Sequence, residues 1–401
     1  MRLKEPIFRS EQGAIFVQLG ISLFVLMAFN VFVLDYGMMW IGRRQAQNAA
    51  DAGALSGALA RGFDDFDDPP SSGGLAAQSA AQVASANLVW QQAGTPLVSF
   101  GCPAGVTGRC VRVEVYRDGT NGSTALPTLF GPILGISSQK VKASATAIVD
   151  NANATDCLRP IAFSDDWHDN RDDPPAGPEF WRYDEPGPGT PVANADLYTA
   201  PSATQSGRTT FSADRGERII YELDLPTTAT TTPITRDLLV GLTLPGAAPF
   251  WQKVENCTGT SVELGQTLPV EIPPPGDTNR AFTDLIAQDP SATWNDPLGD
   301  VENSCAPGCA PFTPRLIPVA LFDPDRFQLG RATNDWTQPG VGCPTNSPCI
   351  TVTNIVGFFV HGAFGGYGPH GHVLKFPGMT SLTAPTFVDD ASWLVTAHLV
   401  R

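Results

Sequence analysis

Positive charge is scarce in this chain. The 401 residues include 25 lysines and arginines against 40 aspartates and glutamates, a formal net charge of −15. The first 34 residues hold three of the basic and two of the acidic side chains, which leaves 22 and 38 for the rest. A region this acidic is repelled by phosphate backbones and by anionic lipid. Nucleic acid is therefore excluded as a partner.

The common catalytic motifs are also missing. The chain has no Gly-x-Ser-x-Gly elbow, no glycine-rich phosphate loop and no His-Glu-x-x-His. We therefore predict that the protein is not an enzyme and uses no cofactor. A membrane-anchored hydrolase with dispersed catalytic groups is the weakest alternative.

Charge of either sign is absent from residues 14–34. At about 1.5 Å per residue, a helix of this length crosses the roughly 30 Å hydrocarbon core of a bilayer. A secretory signal has a shorter apolar core followed by a small-residue cleavage site. This run is longer and is followed by residues 35–40, which form no such site, so we predict an uncleaved transmembrane helix. Residues 1–13 are predicted to be cytoplasmic, although basic residues flank both ends of the span.

Cysteine occurs only after the predicted span. The number of cysteines is even, and four of them are closely paired in sequence as Cys305 with Cys309 and Cys343 with Cys349, which is typical of disulfides in an oxidising compartment. Zinc is the alternative, because Cys305 and Cys309 could form half of a site. Cys102 and Cys110 could close a short hairpin, and Cys157 with Cys257 remains by elimination. The eight candidates are Cys102, Cys110, Cys157, Cys257, Cys305, Cys309, Cys343 and Cys349.

An alanine-rich segment directly follows the span and predicts that the helix continues to about Arg61. Small residues recur there at spacings of three and four, so they share one face on which another helix can approach closely. That face could pack against a helix of another protein or against the chain's own domain. The helix-packing candidates are Ala46, Ala49, Ala50, Gly53, Ala54 and Gly57.

The remaining pattern predicts an α+β protein. Residues 35–150 read as a module with a second helix over 75–93 and strands near 97–100, 110–117 and 140–149. The chain has 39 glycines and 36 prolines. In residues 151–401, proline- and glycine-rich turn segments separate short apolar runs, and this pattern predicts a β-rich domain. Strands are expected at 218–223, 238–242, 316–322, 350–359 and 393–400, with a short helix near 280–288. The apolar strand from Ile350 is expected to be central.

Two polar clusters are candidate binding sites. Residues 165–173 combine five carboxylates with Trp167 and His168, which suits either calcium or a glycan. His361, His370 and His372 could ligate a metal. A solvated acidic loop and a flexible glycine-rich loop are the favoured interpretations, so we predict no metal site.

The N-terminal stretch resembles the tight-adherence (Tad, Flp-type) pilus-assembly proteins of the TadE/TadG-like group. The most specific match is the alanine-rich string that starts at Arg43 and ends at Ala58, directly after a single span. A string from Ser138 is similar to the strand that closes the family's N-terminal module, and the segments at 157–163 and 315–323 look like parts of longer TadG-like proteins. The other matching residues are Arg9, Glu11, Gln12, Gly13 and Ala14 before the span and Asp35, Tyr36 and Gly37 at its end.

Two features depart from the family. Processed pseudopilins carry a glutamate at the fifth position after the cleaved glycine, and the corresponding residue here is Gln18, a neutral amide. Prepilin-type cleavage between Gly13 and Ala14 is therefore the less favoured hypothesis. Some relatives carry a metal-binding Asp-x-Ser-x-Ser string, which this chain lacks.

The resemblance implies a structural or assembly component of a Tad pilus or a related secretion apparatus. The expected organisation is a cytoplasmic segment 1–13, a transmembrane helix 14–34, a pilin-like module 35–150 and a β-rich, disulfide-containing periplasmic domain 151–401. Its expected partners are other TadE/TadG-like pilus-assembly proteins and the bacterial inner membrane. An anchored adhesive or ligand-binding protein is the alternative.

Overall fold

The computed structural model describes residues 11–65, 70–164, 167–168, 197–198, 218–220, 222–223, 238–273, 276–295, 299–304, 313–363, 369–386 and 392–400. The chain divides into two compact units. Unit 1 comprises Met1–Val149 with Ala397–Arg401, and unit 2 comprises Asp150–Thr396.

Unit 1 begins with one long helix. Helix α1, Glu11–Phe63, runs without a break for 53 residues. It contains no proline, and its apolar first half and alanine-rich second half both suit a helix. The helix ends at Phe63, where the backbone amides of Asp64 and Asp65 both bond the carbonyl of Ala60.

Helix α2, Leu75–Ala86, is shorter than predicted. Near its start the amide of Ala76 donates to the Asp65 carboxylate at 2.9 Å, which satisfies one of the orphan donors of a helix N-terminus. The predicted continuation to residue 93 is wrong. Asn87 caps the helix with an extended backbone, and Trp90 and Gln91 adopt left-handed φ angles of 53° and 61° in a tight turn.

An antiparallel sheet covers the two helices of unit 1. Strands β1, β2 and β5 are adjacent in that order, and β2 is paired along its whole length with β5. Val111, Val113 and Val115 alternate along β2 and are fully buried. The strands are β1 (Thr95–Ser99), β2 (Arg109–Arg117), β3 (Leu126–Pro127), β4 (Ser138–Gln139) and β5 (Val141–Asn151).

Unit 2 is rich in strands. They are β6 (Ala154–Thr155), β7 (Ile161–Ser164), β8 (Trp167–His168), β9 (Leu197–Tyr198), β10 (Arg218–Ile220), β11 (Glu222–Leu223), β12 (Leu238–Leu242), β13 (Val262–Glu263), β14 (Thr267–Glu271), β15 (Thr293–Asn295), β16 (Asp300–Glu302), β17 (Leu316–Phe322), β18 (Cys349–Ala363), β19 (Pro369–Leu374), β20 (Phe376–Pro377) and β21 (Leu394–Val400). The last of these ends in unit 1.

The main sheet of unit 2 closes on itself. Strand β18 pairs with β14, β17 and β19, and β14 leads through β12 and β7 back to β17. The central position predicted for the strand from Ile350 is confirmed, because β18 has neighbours throughout. Ala162, Leu242, Phe322 and Ile355 belong to the buried apolar cluster of this unit.

Short helices connect the strands of unit 2. Among the described residues of this unit they are α3 (Phe250–Glu255), α4 (Asp277–Ala287) and α5 (Pro324–Thr333). Helix α5 starts where the Asp323 side chain accepts a hydrogen bond from the amide of Arg326, with a proline in its first turn. The mixed α+β class predicted from the sequence is confirmed by both units.

Each unit contains at least one disulfide bond. Cys102 is bonded to Cys110 in unit 1, and in unit 2 Cys157 is bonded to Cys257 and Cys343 to Cys349. The Cys157–Cys257 bond closes the longest loop, with a sequence separation of 100. The pair Cys305 and Cys309 lies outside the described residues.

Candidate functional site: the membrane-proximal helix

The first part of α1 presents its apolar side chains to the surroundings. Large side chains such as Phe16, Phe24 and Phe29 are 64–75% exposed. The most apolar window of this helix has a mean hydropathy of 2.2, and no part of that window is buried. The helix is long and apolar enough to cross a membrane.

Asp35 marks the end of the uncharged run and is 7% exposed. Its carboxylate accepts hydrogen bonds from the amide of Leu129 at 2.9 Å and from the amide of Phe130 at 3.3 Å. The Gln139 side chain donates to the Asp35 carbonyl at 3.4 Å. A buried carboxylate is tolerated when such donors replace water. Asp35 therefore fixes the loop between β3 and β4 to α1.

Aromatic and basic side chains follow the span. The guanidinium of Arg44 lies 3.9 Å from the centre of the Trp40 ring, and Tyr36 stacks on Phe32 with ring centres 5.9 Å apart. Trp40 and Tyr36 are each about half exposed. Aromatic rings with a polar tip or a cationic neighbour are typical of the interfacial layer of a membrane.

The small-residue face of α1 is covered by the chain itself. The alanines at 46, 49, 50 and 54 are fully buried, and Gly53 and Gly57 are buried as well. A Cβ atom at Gly53 would lie 2.8 Å from the Ala84 Cβ, and one at Gly57 would lie 2.8 Å from Val111 Cγ1. Of the two alternatives weighed from the sequence, the structure places this face against α2 and β2 of the same unit.

Polar contacts fix the register of α1 within unit 1. The Gln45 side chain accepts from the amide of Trp90 at 2.8 Å, and the hydroxyls of Ser56 and Ser79 are 2.7 Å apart. Near the helix end, Arg61 donates to the carbonyl of Cys110 at 2.8 Å. These bonds span 23 to 49 residues of sequence, so α1 is an integral part of the folded unit.

The outer side of the sheet carries a charged cluster around Glu114. Its carboxylate accepts from Tyr116 and lies 2.8 Å from Arg112 Nη2 and 3.1 Å from Lys142 Nζ. These donors, with the Tyr116 hydroxyl first, lower the pKa of Glu114 to about 2. The cluster bridges β2 and β5, so it helps to hold these strands together.

The predicted histidine cluster is assembled in unit 2. The ring of His361 lies 5.5 Å from that of His370 and 6.1 Å from that of His372, and Trp294 stacks on His372 at 4.1 Å. Within the residues that the structure describes, no group of three His, Cys, Asp or Glu side chains is arranged to hold a metal. Of the acidic cluster at 165–173, only Trp167 and His168 are described, as the short strand β8.

A buried arginine near the histidines is structural. Arg315 donates to the carbonyls of Asp289, Ala292, Val360 and His361 at 2.7–3.1 Å. Burial lowers the pKa of Arg315. This role of Arg315 was not predicted from the sequence, because its acceptors are backbone atoms 23 to 46 positions away.

One family model matches most of α1. Residues 13–60 match the family model described as putative Flp pilus-assembly TadE/G-like. This segment is similar to the TadE/G-like pilus-assembly family. Comparison with curated proteins and with solved structures finds no match.

The TadE/G-like segment coincides with the span and most of the alanine-rich half of α1. The resemblance expected for the N-terminal module is therefore confirmed, and the matching family is one of pilus assembly. The segment includes the buried face described above, so the family pattern contains residues that hold unit 1 together as well as the apolar span.

Proposed function

We propose that the protein is a membrane-anchored component of Flp-type pilus assembly. The observation that carries this proposal is the TadE/G-like match over residues 13–60, in a helix whose first half is apolar and exposed and whose second half is built into a folded unit. A helix in lipid satisfies all of its own backbone hydrogen bonds, so a single span suffices as an anchor.

We place residues 1–13 in the cytoplasm, residues 14–34 in the inner membrane and residues 35–401 in the periplasm. The disulfides described in both units support this orientation, because such bonds persist in oxidising compartments. Alkaline phosphatase fused after residue 400 should be active, since it needs an oxidising compartment. If the fusion after residue 400 were inactive and a fusion on the N-terminal side of residue 13 were active, the orientation would be the reverse of the one proposed.

Other pilus-assembly proteins are the proposed partners. The small-residue face of α1 is occupied by α2 and β2, so a partner's helix would meet α1 on side chains that this unit leaves exposed, chiefly those of the span. In a membrane, helices associate through close packing, which bulky substitutions prevent. The test is crosslinking in the native membrane, followed by purification and identification of pilus-assembly proteins.

A matched pair of variants makes that test specific. Replacing Gly20 by Phe alters the span at a position where nothing lies within 4 Å, and replacing Gly73 by Phe does the same in an exposed loop. Loss of the crosslinked partner only in the Gly20 variant supports contact through the span. Absence of any pilus-assembly protein from the wild-type sample would overturn the proposed function.

We propose further that the anchor is retained rather than cleaved. Gly13 and Ala14 lie inside α1, and Gln18 supplies no carboxylate for a filament subunit's N-terminus. The intact mass of the membrane-extracted chain should include residues 1–13. A mass that corresponds to a start at Ala14 would refute retention while leaving membrane anchoring in place.

A further inference from the structure

The loop between β3 and β4 is as free of charge as the span itself. Residues 119–139 contain no acidic, basic or histidine side chain, and they follow Asp118 and precede Lys140. Within this stretch Leu129 is 63% exposed and Ile136 is 53% exposed. Two large apolar side chains are thus exposed on one short uncharged loop, and an apolar surface against this loop would bury both of them.

The loop extends along α1 towards the membrane span. A Cβ atom at Gly42 would lie 2.5 Å from Leu126 Cδ1, which places the start of the loop beside Gly42. Leu129 and Phe130 donate to Asp35, seven residues earlier and about 10 Å nearer the N-terminus of the helix. The 3₁₀ turn Gly131–Leu134 also lies against α1.

The loop is held in shape by its own hydrogen bonds. Thr128 donates through its hydroxyl to the carbonyl of Ile136 at 2.6 Å, and the amide of Ile136 donates to the carbonyl of Gly131 at 2.9 Å. Strands β3 and β4 pair at its base, with Leu126 opposite Gln139. Leu129 and Ile136 are therefore exposed on an ordered loop at the level of Asp35.

We infer that this loop, residues 126–139, is a second membrane contact that inserts Leu129 and Ile136 into the interfacial layer of the bilayer. The inference rests on the proposed anchoring of α1, because the position of the span, which ends at Leu34, sets the depth of the loop relative to the bilayer. The polar layer on each side of the hydrocarbon core is roughly 5–7 Å thick, so side chains beside Asp35 lie within it. Tyr36 and Trp40 on α1 lie next along the helix and suit the same layer.

The contact gives the anchor a defined orientation. A single helix can tilt in lipid in any direction, whereas tilting this helix away from the loop would lift Leu129 and Ile136 out of the interfacial layer. Removing the leucine and isoleucine side chains from water is favourable, so the contact biases the tilt of the helix. Asp35 transmits this preference to α1 because it binds the loop backbone directly.

Site-directed spin labelling of the full chain in proteoliposomes tests the inference. The six cysteines that the structure describes are all disulfide-bonded, so an introduced cysteine is the intended label site, and the unmodified chain reports any background labelling. Labels are placed at Leu129→Cys and Ile136→Cys. Collisions with oxygen, which concentrates in lipid, are compared with collisions with a water-soluble nickel complex.

Two control positions separate the outcomes. Phe24→Cys, in the span, is 73% exposed and should report lipid. Leu97→Cys is the water control, because Leu97 is half exposed in β1 and lies far from the span. Leu97 pairs with Glu114 of β2, and Glu114 pairs with Ser144 of β5. The Ser144 carbonyl accepts a hydrogen bond from Gln47, which lies about 18 Å beyond Asp35 along α1. The expected ratio of oxygen to nickel collisions is several-fold higher at 129 and 136 than at 97.

Each result has one meaning. If Phe24 reports lipid while 129 and 136 match 97, the inference fails and the anchor stands. Water accessibility at Phe24 would refute the anchor itself, and the loop contact with it. Labels at 129 and 136 that are shielded from both reagents and show spin–spin broadening would indicate a second copy of the chain instead of lipid, which also overturns the inference.

Discussion

Gly57 of α1 and Ala80 of α2 approach so closely that a Cβ atom at Gly57 would lie 2.8 Å from the Cβ of Ala80. The same atom would also meet Val111 of β2. Three elements thus converge on a position where only a hydrogen atom fits. Interiors are packed densely enough that even one added carbon is felt.

Replacing Gly57 by leucine should therefore destabilise unit 1. Overpacking of this kind costs about 1–3 kcal/mol, more than the roughly 1 kcal/mol gained by removing a glycine from a helix. Thermal unfolding of the detergent-solubilised chain measures the loss. Gly37→Leu, in the same helix with nothing within 4 Å, is the control and should be neutral or stabilising. Equal stability of both variants would contradict the observed packing.

Glu114 should make unit 1 less stable in acid. Its pKa is lowered from 4.5 to about 2 in the folded state, so the stabilisation is complete above pH 4.5 and is lost as the pH falls towards 2. At pH 7, Glu114→Gln should cost about 1–2 kcal/mol, because it weakens hydrogen bonds to a charged group. The free energy of unfolding of both forms is measured from pH 7 to pH 3.

The difference between wild type and the Glu114 variant should shrink as the pH falls. Glu302→Gln, an exposed residue of unit 2, controls for the loss of one negative charge. A difference that stays constant down to pH 3 would show that the charge on Glu114 contributes nothing.

The Cys157–Cys257 disulfide should stabilise unit 2 more than the Cys343–Cys349 disulfide. The first closes a loop with a separation of 100 and the second one of 6, and the chain-entropy model assigns about 4.7 and about 2 kcal/mol to loops of these lengths. Double alanine variants of each pair are compared by denaturant unfolding. A larger loss for the short loop would show that packing around the buried Cys343 and Cys349 outweighs loop closure.

Replacing two buried arginines of unit 2 by methionine should change the stability of the protein in opposite directions. Among the described residues, Nε and Nη1 of Arg159 have no hydrogen-bond acceptor, and burial lowers the Arg159 pKa to about 10. Arg315 instead binds four backbone carbonyls. Arg159→Met should be neutral or stabilising by about 1–2 kcal/mol, because an uncompensated buried charge is removed. Arg315→Met should be destabilising, because each buried carbonyl that loses its donor costs about 1–3 kcal/mol.

Denaturant unfolding of the two methionine variants checks this contrast. Arg159 and Arg315 are 6% and 3% exposed, so both substitutions remove a buried guanidinium of the same size. Equal and large losses would mean that Arg159 has a partner that stabilises it.

Periodic apolar patterns predicted the elements that depend on local sequence. The expected bounds of β12 and β17 match the structure, and α1 ends two residues beyond the predicted Arg61. Helices α3 and α5 were not predicted, since their 6 and 10 residues give no sustained periodicity. The alanine-rich face could not be assigned a partner from sequence, because α2 offers an equally small surface that fits it as well as another chain's helix would.

Long-range polar contacts account for what the sequence could not show. Asp35 looks like the polar end of a span, yet its function in the fold depends on amides 94 and 95 residues away. The location of each part relative to the membrane stays a prediction, as does the pairing of Cys305 with Cys309, which peptide mapping of the unreduced chain would establish.

Because α1 is continuous, the number of residues between the span and the folded part of unit 1 determines how the span is rotated relative to that part. Each residue turns a helix by about 100°, so one residue inserted ahead of Asp35 would rotate the lipid-facing surface by that angle relative to the rest of unit 1. Four inserted residues would nearly restore the original phase, with a remaining rotation of about 40°. The length of the helix, as well as its composition, therefore determines which side of the anchor faces neighbouring proteins.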